Sequence, residues 1–288
     1  MKAFKLGIKV AAVAGLTALL SVSASAGITL SKHDLRGTAS AMAEYTDAGK
    51  IATGTKIEAA GEICAFCHTP HGSSTATEAP LWNKIGGTTS SGFLKYVSST
   101  LDGEVLLDGS PSLACLSCHD GAQAMNTVIN APSSSSNYFY DPDGNQSYGT
   151  ASAEGYKIAD NIARIGDDLR NDHPVAVPYA GGGWSTLKTY TTAGQATFSA
   201  DAKDPDFVLP HKDTIGGEVK WWIEEVGVGG DDKRTKTDLV LYNRVGGAGG
   251  VAYVECATCH DPHAGESQSF LRMGSNDNSQ VCLACHIK

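Results

Sequence analysis

The pattern Cys-x-x-Cys-His occurs four times in 288 residues: Cys64-Ala-Phe-Cys67-His68, Cys115-Leu-Ser-Cys118-His119, Cys256-Ala-Thr-Cys259-His260 and Cys282-Leu-Ala-Cys285-His286. At the chain's own cysteine and histidine frequencies, on the order of 0.01 such motifs would arise by chance, so four copies exclude accident. They use all eight cysteines, which leaves none for a disulfide or a lone thiol nucleophile. Two thiols three positions apart can each add to one of the two vinyl groups of a single porphyrin, and the next residue, histidine, is then held beneath the iron. Redox C-x-x-C pairs and zinc sites also use paired cysteines. Neither requires a histidine directly after the second cysteine in every copy. The motifs therefore predict four covalently attached c-type haems, with His68, His119, His260 and His286 as proximal ligands.

The other five of the nine histidines are His33, His71, His173, His211 and His263. Four irons need four distal ligands, so an imidazole is available for each with one to spare. His71 follows His68 by three residues in His68-Thr-Pro-His71, and His263 follows His260 in the same way in His260-Asp-Pro-His263. A link this short, stiffened by proline, cannot pass around a porphyrin to the other side of the same iron. Each is expected to bind a different haem and so tie two macrocycles together. His173, in Asp172-His173-Pro174, is a further candidate because the following proline favours an extended backbone. The fourth place is contested between His33, preferred because it lies near an amino terminus free to reach away, and His211. Met42, Met125 and Met273 are the rival axial ligands and are expected to pack in the core instead. Two imidazoles saturate an iron and lower its potential relative to Met/His ligation, which suits electron transfer and leaves no place for a substrate.

Residues 1–26 have the form of a secretory signal: Lys2, Lys5 and Lys9, an apolar run from Val10 to Leu20, then Ala24-Ser25-Ala26. The apolar run is too short for a membrane anchor, and no later segment is long and apolar enough to span a bilayer. An exported domain over residues 27–288 is expected, outside the cell or at its surface, with the periplasm as the alternative. The formal charge is −9, and loss of the three signal lysines makes it more negative. Such a surface argues against nucleic acid and anionic lipid as partners.

The motifs form two clusters, 64–119 and 256–286, and the long stretch between them is expected to pack over the haems within a single domain. Chain-wide, 33 glycines and 10 prolines point to an irregular, loop-rich fold with short helices and a few short strands. Its core is expected to form around four c-type haems. A short helix is expected over Asp120–Asn130, with Asp120 as its cap, and short strands over Thr237–Arg244 and Val251–Glu255. Ser-rich 133–136, Gly181–Gly183 and Gly246–Gly250 are expected loops. Asp141-Pro-Asp143-Gly-Asn145 lacks the later ligands of a calcium loop and reads as a turn. Trp184, Trp221 and Trp222 could relay electrons, but packing on porphyrin faces is the commoner role.

Several short stretches carry a family resemblance: Lys32-His33-Asp34-Leu35, Cys64-x-x-Cys-His-Thr-Pro-His71, Pro80-Leu81-Trp82-Asn83, Cys115-Leu-Ser-Cys-His-Asp-Gly121, Asn171-Asp-His-Pro174 and the closing motif pair. Together they resemble exported multihaem cytochromes of metal-reducing bacteria, most of all the tetrahaem outer-membrane cytochrome E type that polymerises into extracellular filaments. The resemblance implies a continuous chain of parallel and T-shaped haem pairs, cross-ligation by His71 and His263, and one distal ligand, His33 or His211, supplied by a neighbouring copy. It implies a head-to-tail filament that takes electrons from a donor in the periplasm or outer membrane and passes them to external acceptors. A soluble periplasmic tetrahaem shuttle is the alternative. A nitrite- or hydroxylamine-type reductase is disfavoured because all four motifs end in histidine and no five-coordinate iron is provided for. The acidic surface predicts that electron exchange with cationic partners slows as salt is added; a stopped-flow rate unaffected by ionic strength would contradict this.

Overall fold

A computed structural model describes residues 27–29, 31–35, 62–85, 90–131, 157–158, 162–182, 204–225, 233–244, 251–265, 267 and 269–287. The signal-like segment, Met42, residues 133–136, 141–145 and 246–250, Gly183 and Trp184 lie outside these.

Each Cys-x-x-Cys-His motif closes one helical turn. The second, third and fourth motifs lie on α1 (Ser112–His119), α2 (Cys256–Cys259) and α3 (Gln280–Cys285), and the first on a 3-10 turn over Cys64–Phe66. The histidine N–H donates to the carbonyl of the first cysteine at 2.9 Å for His68 and His286 and 3.1 Å for His260. One turn brings positions i and i+3 onto the same face, so both thiols of a motif can meet one porphyrin edge. Pro111 precedes α1, where a missing N–H costs nothing, and the helix buries Leu113 and Leu116.

The helix expected over Asp120–Asn130 does not form; the helical segment ends at His119 instead. Asp120 Oδ1 accepts from the N–H groups of Ala122 and Gln123 at 2.8 and 3.0 Å, and Gly121 has φ +70°. This local turn satisfies the backbone in place of a helix. Met125 and Val128 are buried from within that loop.

A five-stranded sheet follows, β1 (Val177–Pro178), β2 (His211–Ile215), β3 (Glu218–Ile223), β4 (Leu239–Asn243) and β5 (Ala252–Val254), in the order β1-β5-β4-β3-β2. Every pairing is antiparallel. The strands expected at 237–244 and 251–255 are β4 and β5. The β2–β3 hairpin was not expected, although its signal is in the sequence. Gly216 and Gly217 have φ +63° and +83°, the two positive values a tight two-residue hairpin turn needs.

The strand alternation of β3 sends Trp221 and Ile223 into a cluster with Leu239, Leu241, Ala252, Tyr179, Ala284 and Met273. Trp222, also buried, stacks on His211 at 5.5 Å. Both tryptophans thus pack against protein side chains. Met125 and Met273 are buried as well, as expected of core residues. A second cluster joins Leu113 and Leu116 of α1 to Val105, Leu107, Leu169 and Val177. β5 runs through Glu255 directly into α2, so the sheet sets the position of the third motif. The Tyr179 hydroxyl donates to the Val208 carbonyl at 2.7 Å, and the Val208 N–H donates to the Cys285 carbonyl at 2.8 Å, which ties the fourth motif to the same core. Among the described residues no helix is long and apolar enough to cross a membrane. Replacing Gly217 with valine forces a β-branched side chain into a left-handed backbone and should cost about 1–3 kcal/mol. Denaturant unfolding of the haem-loaded protein checks this, and an unchanged midpoint would mean the hairpin turn tolerates a side chain.

Candidate functional site

The fold brings the sequence-predicted histidines together in pairs. His68 and His263 have ring centroids 6.0 Å apart, His33 and His119 6.2 Å, and His173 and His286 6.4 Å. Two imidazoles bound through Nε2 to opposite sides of one metal at ~2.0–2.1 Å each would have centroids roughly 6–6.5 Å apart. Each pair joins one proximal position with one distal candidate from elsewhere in the chain. His263 lies opposite a motif other than its own, as its short link to His260 requires.

The rings are aimed by second contacts. Nδ1–H donates to a main-chain carbonyl in His68 (Pro80, 2.9 Å), His119 (Ala163, 2.6 Å), His260 (Ser269, 2.6 Å), His173 (Pro174, 3.0 Å) and His33 (Pro262, 3.4 Å). His263 Nδ1 lies 3.5 Å from Asp261. Such a bond fixes the tautomer and leaves the Nε2 lone pair free for a metal. His211 is oriented the other way. From the start of the edge strand β2, its Nε2 lies 3.6 Å from Glu224, just beyond β3, so the atom that would bind iron faces a carboxylate. His71 is exposed at the surface, its carbonyl held by Thr69 and Asn130 at 3.1 and 2.7 Å. Among the described residues no imidazole faces His260 as the other three motif histidines are faced.

The four cysteine motifs adjoin one another in chain order. The Cys67 thiol is pushed up to about 12, first by burial and then by Cys118 beside it. Cys115 and Cys256 are close enough to share a hydrogen bond. Burial, then Cys256 and Cys282, raises Cys259 to about 11. A cavity of about 190 Å³ lies against the third motif, lined by Leu116, His173, Val254, Cys256, Cys259 and His260. Apolar walls, two thiols at the right spacing and carbonyl-anchored imidazoles fit a covalently held haem. Cys64, Cys67, Cys115, Cys118, Cys256, Cys259, Cys282 and Cys285 would supply the thioethers, and the motif histidines the first axial bond.

Residues 27–29 and 31–35 carry His33 inward against Phe270 and His119. Burial lowers His33 to about 4, assisted by His119 alongside, so the ring is neutral and its lone pair available. Burial lowers His119 too, against the pull of its bond to Ala163. Phe270 stacks on His33 at 4.1 Å and 11°. Gly265 makes the docking possible, because a Cβ there would lie 2.1 Å from the Gly27 carbonyl oxygen and 2.8 Å from Ser31 Cβ. Sequence reasoning did not find Phe270, Gly265 or Phe207, which lies 4.4 Å from His286. These apolar residues and a lone glycine carry no pattern of their own. Pro80-Leu81-Trp82-Asn83 now has a local role. Pro80 accepts from His68, Trp82 bridges to it, and Asn83 Nδ2 donates to the Ala65 carbonyl at 2.7 Å. Substituting Gly265 with alanine should release residues 27–35, seen as at least tenfold faster amide hydrogen exchange there; protection equal to the parent's would show that the close approach is not needed.

Residues 249–288, which hold the third and fourth motifs, match the family described as Doubled CXXCH motif (Paired_CXXCH_1). No curated protein matches the chain. The matched pair, with two further copies of the motif outside it and imidazoles facing three of the four, indicates a multihaem c-type cytochrome.

Proposed function

We propose that this chain is an exported tetrahaem electron carrier, not an enzyme, with each iron held between two histidines, and that it is the subunit of an extracellular filament. The three imidazole pairs are the observation that carries this reading. Haem iron saturated by two imidazoles changes oxidation state by one electron without exchanging a ligand. The residues of the chain hold that state in place. His68 and His263 close one site, His119 and His33 a second, and His286 and His173 a third, each distal ring brought by a segment other than the motif it faces. The adjoining attachment cysteines keep the four sites close enough for electrons to hop.

The site at His260 has no partner ring on its own chain among the described residues, and His211 turns its Nε2 to Glu224. The remaining histidine is His71, exposed and fixed by its backbone. We assign it to the His260 site of a second copy. His33, which the resemblance offers beside His211 as the trans ligand, lies next to His119 of the same chain, which supports a role within its own subunit. A contact that supplies His71 to the next subunit is heterologous and does not close, so it builds a fibre. Completing the fourth site and adding a subunit are then one event. The donor lies in the periplasm or outer membrane, and the acceptors lie outside the cell.

Alanine at His33, His173 or His263 should each convert one haem to high spin in the ferric electron paramagnetic resonance spectrum, while His211→Ala leaves every haem low-spin. A low-spin spectrum in the His33 variant would refute the pairing. His71→Ala should abolish filaments in negative-stain images. Filaments that persist would refute the assignment, and unsubstituted protein that is fully low-spin as monodisperse particles would leave the periplasmic shuttle.

A further inference from the structure

Lys84 is a buried cation with no carboxylate set against it among the described residues. It is 2% exposed, and its ammonium donates to the Met125 carbonyl. Among the described residues it makes no ion pair. A desolvated ammonium is costly, and a single carbonyl does not neutralise it.

The strip that holds Lys84 is fixed on both sides. Toward the first motif, the Asn83 N–H donates to the Cys67 carbonyl at 2.9 Å, and Trp82 bridges His68. Toward the segment after the second motif, the Asn83 carbonyl accepts from Ile129 at 3.3 Å, and Gln123 Nε2 donates to the Ile85 carbonyl at 2.6 Å. The charge of Lys84 opposes the burial that raises the Cys67 thiol, which puts it within electrostatic reach of that attachment site. At the third motif, charges of both signs face one another: Arg272 Nε donates to the Ala257 carbonyl at 3.0 Å, with Asp261 3.5 Å from its guanidinium. Glu255, buried beside Cys256, accepts from Ser110 and Ser112 at 2.5 Å each, with Arg244 Nε 3.9 Å away. There each carboxylate has a cation beside it, a counter-charge that Lys84 lacks among the described residues.

An iron centre is one unit more positive when oxidised than when reduced. A fixed positive charge nearby, little screened in a low-dielectric interior, therefore favours the reduced form. We propose that Lys84 raises the reduction potential of the haem attached to Cys64 and Cys67, making it the centre among the four where an electron rests most stably. This rests on the tetrahaem reading above. Lys84 touches no reacting atom in this account and acts through its charge alone.

The test is a spectroelectrochemical titration of the haem-loaded full chain carrying Lys84→Met or Lys84→Gln, with Lys84→Arg as the charge-preserving control. In each neutral variant one midpoint should fall until the ferrous-to-ferric ratio at fixed potential drops tenfold, ~59 mV for a one-electron couple. The arginine variant should restore it. Haem content by the pyridine haemochrome assay and the low-spin resonance spectrum are read on the same samples. Four low-spin haems with unmoved midpoints would overturn the role of Lys84 alone, whereas a wrong haem count or a high-spin iron in the parent chain would overturn the tetrahaem reading beneath it. If neither neutral variant loads four haems, nuclear magnetic resonance of the unsubstituted chain during reduction decides. The first-motif haem must be reduced before the other three, and its later reduction refutes the proposal.

Discussion

The hydrogen bond from an imidazole Nδ1–H to a main-chain carbonyl organises this molecule. Five histidines make it, to the carbonyls of Pro80, Ala163, Ser269, Pro174 and Pro262. Each bond removes a rotational freedom from a ring and directs its other nitrogen outward. The carbonyls belong to loops, so much of the irregular backbone has the task of aiming a ring. A chain with this much loop would bury little apolar surface by itself. The sheet and the two side-chain clusters give the loops a fixed base, and covalent groups at the motifs would fill the rest of the interior.

The sheet and the motifs depend on each other. β5 ends where α2 begins, and the Glu255 side chain between them is held by serines that lie just before and at the start of α1. The second and third motifs are thereby fixed relative to one another by a buried polar contact. Tyr179 and Val208 fix the fourth motif to the β-sheet core, and Asn83 fixes the first to the segment following the second. Geometry of this kind suits electron hopping, in which the spacing of centres matters and none of them has to move.

The four Cys-x-x-Cys-His motifs are legible in the sequence, because covalent attachment of a haem demands fixed residue types at fixed spacing. The candidate distal histidines could be named by counting, since few histidines were left over. Their partners could not. Nothing local to His33 shows that Gly265 leaves room for its segment or that Phe270 will stack on it, and both contacts span more than 200 residues. The same limit explains the error at Asp120–Asn130. Asp120 reads as a helix cap in the sequence, but its carboxylate and the positive φ of Gly121 set a turn instead. β4 and β5 were visible as apolar strands. The β2–β3 hairpin was readable from its glycine pair and was missed because its flanks, His-Lys-Asp-Thr-Ile and Glu-Val-Lys-Trp-Trp-Ile, do not alternate cleanly.

Whether the paired imidazoles share an iron is the question on which everything else turns, and a cryo-electron-microscopy map of the haem-loaded protein at side-chain resolution answers it most directly. The account predicts one iron between His68 and His263, one between His33 and His119, and one between His173 and His286. Any of these pairs divided between two irons, or an iron with an open axial position, would contradict it.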